Sequence, residues 1–168
     1  MTTTITGALG IDNIKAATGA VLQVVNTQTG AYAAGTTAMN QDSSVPLNTE
    51  GNEYMSLAIT PNNSSNTLVI DVVIFLSHGN ATRHIMSALF KDSGTNAIAA
   101  GTHFEGNANR MVGIQYRHTM VAGTTNATTF KVRAGGHSVG TTHFNGESGA
   151  VRLGGVSSSS ITIMEIAG

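Results

Sequence analysis

The chain has 168 residues, of which 40% are hydrophobic and only 10% charged, with a formal net charge of -1 and no cysteine. That balance excludes the concentrated basic face needed to hold nucleic acid, and the missing thiols exclude a disulfide framework or cysteine-ligated metal. Glycine (20), threonine (23), serine (14) and asparagine (14) together make 71 residues. Threonine suits a pleated surface and the others suit turns, whereas the strong helix formers glutamate and lysine are scarce, so the composition predicts an all-β domain of ordinary single-domain size.

Residues 1–19 carry Gly7, Gly10 and Gly19 among scattered apolar residues and show neither strand alternation nor a helical stripe. This stretch reads as an arm. Ile5, Leu9, Ile11 and Ile14 are too apolar for a freely solvated tail, so the arm is expected to order against a partner surface and serve for attachment. The start lacks the basic residues and apolar core of a secretory signal, which predicts synthesis without targeting.

Residues 20–168 form the main domain. Its first strand is expected over Ala20 to Asn26, followed by a Gly/Ala/Thr stretch and a polar loop from Asn40 to Asn52. Tyr54 to Thr60 alternates, with Met55, Leu57 and Ile59 opposite Tyr54, Ser56 and Ala58. The cluster Pro61-Asn62-Asn63-Ser64-Ser65-Asn66 is then a turn. Thr67 to Leu76 places Leu68, Ile70, Val72, Ile74 and Leu76 on one face, and Val69, Val73 and Phe75 with Asp71 on the other. Both faces are apolar enough for burial, so the second is predicted to meet another subunit through Val69, Val73 and Phe75. The same run is far shorter than the roughly 20 residues of a membrane-spanning helix, and no membrane insertion is expected.

Arg83 to Lys91 and Asn96 to Thr102, joined by Asp92-Ser93-Gly94-Thr95, read as a hairpin. Met111 to Val121, Thr128 to Ala134, Val139 to Asn145 and Ser159 to Ile166 complete a set of about nine strands with no convincing helix. The last strand ends two residues from Gly168 and is expected to be locked into a sheet, since free termini fray unless pairing holds them. Gly135-Gly136 and Gly154-Gly155 read as tight turns, because neither has the Lys-Ser/Thr and following helix of a phosphate loop. Strands at this spacing predict a β-sandwich or jelly roll.

Four segments in order carry a resemblance. They are Val21-Leu22-Gln23-Val24-Val25; Leu57-Ala58-Ile59-Thr60-Pro61 with the polar turn and long apolar strand after it; Thr128-Thr129-Phe130-Lys131-Val132-Arg133; and Ile161-Thr162-Ile163-Met164-Glu165-Ile166. Together they resemble the C-terminal module of tail-fibre and related virion surface proteins of tailed bacteriophages, over about residues 20–168. The resemblance implies a jelly-roll domain that assembles as a compact homotrimer on the virion exterior after synthesis in the host cytoplasm. Its partners would be its own copies and the capsid or tail proteins of the particle. The arm is too short for a fibre shaft and shows no heptads or collagen repeats, which leaves a capsid decoration or knob, or a short tail-fibre-type protein.

Other chemistries are weaker. His103 and Glu105 share a strand face at i and i+2, and His137 and His143 flank a glycine-rich turn, but no spacing matches a zinc pattern, so no metal or other cofactor is expected. There is no Gly-x-Ser-x-Gly elbow and the nine acidic residues are scattered, so no catalytic residues are assigned and an enzyme is not expected. The competing function is a receptor- or glycan-binding tip of the tail apparatus, in which exposed Tyr32, Tyr54 and Tyr116 and the asparagine-rich loops would contact a host surface glycan.

Overall fold

The computed structural model describes residues 17–80 and 83–168. Ile5, Leu9, Ile11 and Ile14 of the expected arm lie outside the described residues. The described chain is an all-β, jelly-roll-like sandwich of two sheets. Its strands are β1 (Val21–Thr29), β2 (Ala33–Gly35), β3 (Asn52–Ile59), β4 (Thr67–His78), β5 (Arg83–Lys91) and β6 (Ala99–Glu105). They continue with β7 (Val112–Val121), β8 (Thr128–Gly136), β9 (Thr142–Phe144), β10 (Gly146–Glu147), β11 (Ala150–Val151) and β12 (Ser159–Ile166).

One sheet has the order β1-β12-β4-β9-β2, with β7 on the other side of β4; the second has the order β3-β8-β5-β6. All pairings of these strands are antiparallel. β12 is an interior strand, paired to β1 from Ser159 to Ile166 and to β4 from Ser160 to Ile166. The long β4 accepts β12 along Thr67 to Val73 and then β9 along Leu76 to His78.

Alternation places the core. Leu68, Ile70, Val72, Ile74 and Leu76 of β4 meet Ile161 and Ile163 of β12, Ile114 of β7, and Phe130, Val132 and Ala134 of β8 between the sheets. Met86, Ala88 and Phe90 of β5 instead face outward, beneath residues 36–51, and cluster with fully buried Met39. That segment is a strap. The Arg133 guanidinium donates to the carbonyls of Glu50 (3.0 Å) and Gly51 (2.7 Å), and Met39 N–H donates to Gly136 (3.0 Å).

Several expected boundaries shift. β1 runs on to Thr29, and the strand expected over Val139 to Asn145 shrinks to Thr142–Phe144 because the residues before it wrap around His78. The hairpin is present, with Asp92 at φ +52, but its second strand is Ala99–Glu105 rather than Asn96 to Thr102, because Asn96 bridges Leu47 instead. Gly154 and Gly155 do turn, at φ +62 and +84. Gly135 and Gly136 do not: they end β8, buried. A side chain on Gly135 would lie 2.8 Å from the Thr37 carbonyl, and one on Gly136 would lie 2.4 Å from the His78 ring. Their lack of a Cβ serves close approach rather than a turn.

Candidate functional site

The face of β4 that turns away from the core is covered by no second layer among the described residues. Register lines up its side chains with those of the neighbouring strands: Val69 beside Thr119 and Met164, Asp71 beside Arg117 and Thr162, Val73 beside Gln115 and Ser160, and Phe75 beside Gly113. Val24 of β1 lies beyond Met164, and Asn26 beyond Thr162. The result is a zoned surface. Val24, Val69, Val121 and Met164 make one apolar end, while Val73 and Phe75 make the other.

Between them runs a polar belt. Arg117 donates to both carboxylate oxygens of Asp71, at 2.6 and 2.9 Å, a bidentate pair that fixes its own geometry. Asn26 Nδ2 donates to Thr162 Oγ1 at 2.8 Å. The expected interface residues Val69, Val73 and Phe75 therefore share one face but are half-buried within a single chain, not fully buried. Phe75 lies against Gly113, 3.4 Å from where a Cβ there would stand, so it also shields the backbone of β7.

The tyrosines are not the exposed stacking platform that a glycan site would need. Tyr54 stacks on Phe144 with centroids 5.1 Å apart and donates to the Thr142 carbonyl at 3.1 Å. Tyr116 pairs with Ser87 Oγ at 2.9 Å across the sandwich, and Tyr32 lies 2.7 Å from Nδ1 of His143. Burial pushes the phenols of Tyr54 and Tyr116 well above the usual tyrosine value. A cavity of about 220 Å³ between the strap and β6, lined by Met39, Pro46, Asp42, Met86 and Thr102 among others, has no aromatic wall.

The structure does not gather the suggested metal ligands. His103 is exposed and Glu105 is occupied by the backbone and side-chain N–H groups of Asn107 at 2.8 and 3.0 Å. His137 is exposed and accepts from Gln41 N–H at 3.1 Å, whereas His143 is buried. Among the described residues, no group of three or more His, Cys, Asp or Glu side chains is placed to hold a metal ion.

A residue that sequence reasoning missed is Glu165, fully buried near the end of β12. It accepts from Gln23 Nε2 (2.5 Å), Asn66 Nδ2 (2.6 Å), Asn62 N–H (2.8 Å) and Asn62 Nδ2 (3.0 Å). Burial pushes the carboxyl up, but the hydrogen bonds from Asn66, Gln23, Asn62 and Asn63 together outweigh it and hold it below the usual carboxylate value. The signal was present as an acid at the inward parity of Ile161 and Ile163, opposite an asparagine-rich turn.

No protein-family model matches the chain, and no curated protein matches it. Among solved structures it is similar to an Eiger TNF from S. frugiperda, with a TM-score of 0.53 and 8% identity over 86% of this chain and 93% of the other. It also matches the VP2 subviral particle of infectious bursal disease virus, with a TM-score of 0.34 and 10% identity over 97% of this chain and 42% of the other. The first likeness is one of fold. It supports the jelly-roll-like sandwich.

Proposed function

We propose that this chain is a non-catalytic structural protein on the exterior of a tailed-phage virion, a homotrimeric capsid decoration or short tail-fibre-type protein attached through residues 1–19. The observation that carries the reading is the zoned outer face of the β1-β12-β4-β7 sheet. It joins apolar residues from four strands around a single bidentate ion pair, and a free sandwich has little use for such a face in water. The resemblance of the strand segments to virion surface modules supplies the setting. Tyrosines turned inward and the aromatic-free cavity weigh against a glycan-binding tip.

The test is localisation. Antibody labelling of purified particles should decorate the exterior at fixed sites, and a chain starting at Ala20 should still assemble but be lost from particles. Absence of label from particles would overturn the virion assignment. Equal incorporation of the truncated chain would overturn the role of the arm and move attachment to the sandwich.

A further inference from the structure

At the β9 end of the sandwich, two buried histidines flank one very short strand pair. β9 is held on each side by only three register pairs, to Leu76–His78 of β4 and to Ala33–Gly35 of β2. His143 in β9 is 7% exposed, and its Nδ1 lies 2.7 Å from the hydroxyl of Tyr32, which immediately precedes β2. The two rings stack with centroids 5.9 Å apart. His78 of β4 is 2% exposed, and its ring is wedged between glycines: a side chain on Gly136 would lie 2.4 Å from Cδ2, and one on Gly140 would lie 2.5 Å from Cε1. Nδ1 of His78 meets the N–H and carbonyl of Asn80 at 3.2 and 3.0 Å, whereas its Nε2 is buried without a hydrogen-bond partner among the described residues.

This end of the fold has few ways to absorb a positive charge. In the tautomer that carries its proton on Nε2, a neutral His143 accepts the Tyr32 hydroxyl proton at Nδ1. A protonated ring has donors at both nitrogens, so Tyr32 would have to reverse its hydroxyl while the charge stayed on a residue only 7% exposed. Among the described residues, the titratable groups that face His143 are Tyr32, from the connection between β1 and β2, and His78, from β4. Neither is an acid that would compensate the charge. Burial first, and then the neighbouring His78, lower the His143 pKa from the ordinary histidine value.

We propose that β2 and β9 form an acid-released clasp. Neutral His143 locks Tyr32 onto the sheet, and a proton on its ring favours a conformer in which the two short strands part and the ring reaches water. The sign follows from linkage. A histidine whose pKa is depressed in the closed state contributes stability that is complete above the open-state value of about 6.5. That stability is lost progressively as pH falls from there through the depressed value. One linked proton raises the opening constant about tenfold per pH unit within that window.

Amide hydrogen exchange on the full chain, corrected for intrinsic rates between pH 7.5 and 5, tests the clasp. The opening constants of Thr142–Phe144 should rise about tenfold per unit below pH 6.5, while those of Ile161 and Ile163 in β12 stay level. His143→Gln keeps an acceptor for Tyr32 but cannot take the proton, and should abolish the slope. Tyr32→Phe should raise opening at neutral pH and keep the slope. A flat profile in the native chain, or an unchanged slope in His143→Gln, overturns the proposal. Should His143→Gln fail to fold, the native His143 ring followed by NMR decides: titration below 6.5, in step with the exchange, supports the clasp, and titration at or above 6.5 overturns it.

Discussion

Glu165 shows how a single side chain ties the two ends of the main domain together. Its carboxylate collects donors from β1, through Gln23, and from the turn between β3 and β4, through Asn62, Asn63 and Asn66. A buried carboxylate survives only when such donors satisfy its lone pairs. Glu165→Gln would turn an NH₂ donor toward the amide donors of Asn62 and Asn66, and the expected loss is about 3 kcal/mol, the upper range for a hydrogen bond to a charged group. Because its pKa is depressed in the fold, the stability that Glu165 contributes is present above the unfolded value of about 4.3. It is lost as pH falls through the depressed value. The gap between native and E165Q proteins in denaturant titrations should therefore hold from pH 7 to about 4.3 and narrow from there to pH 3, and a constant gap across that range would show that the carboxylate charge is not what matters.

At the scale of elements, the strands differ in how far their sequence betrays them. β12 is plain, because Ile161, Ile163 and Glu165 alternate with Thr162, Met164 and Ile166 and the serine run marks where pairing starts. Of its four large apolar residues, Ile161 and Ile163 enter the core, whereas Met164 and Ile166 lie on the outer face. β4 was equally legible, although its outer face is half-covered at most. β5, whose two faces are both buried, shows a second solution to the same pattern: the chain's own strap, not a second subunit, covers Met86, Ala88 and Phe90. The strap leaves no periodic signal in the sequence, because its fully buried anchor, Met39, stands alone before a polar stretch. β9 is shorter than the strand expected over Val139 to Asn145: three residues cannot display a period, and its place depends on His78 fitting against Gly136 and Gly140, a long-range contact. The interior position of β12 makes it indispensable. Deleting residues 161–168 strips β4 and β1 of a shared partner and removes two fully buried isoleucines, so cooperative thermal unfolding should disappear. A native circular dichroism spectrum with a sharp melt after that deletion would contradict the sheet order.

For the whole molecule, the decisive quantity is how much the outer face gains by being covered. Val69, Val73 and Phe75 are already half-buried, so each has only part of the usual 1.5–3 kcal/mol per apolar side chain left to contribute. Three residues are thus too few against an association cost of roughly 4–15 kcal/mol. The proposed trimer needs the wider surface, in which Val24 and Val121 are 55% and 59% exposed and Met164 lies between β1 and β4. In the proposed threefold arrangement every copy would meet two neighbours, and the Asp71–Arg117 pair in the middle would set register more than add affinity. The expected outcome is that the 17.2 kDa chain sediments at three times its mass at micromolar concentration. Val69→Asp combined with Val73→Asp should release monomers by burying unpaired charge in the contact, weakening association at least about 100-fold, the equivalent of roughly 2.7 kcal/mol. Since both side chains point away from the core, the separated monomer should keep the β-sheet spectrum and thermal transition of the sandwich. A native chain that sediments as a monomer would overturn the trimer, and a variant that unfolds instead of dissociating would show that the face serves the fold of one chain.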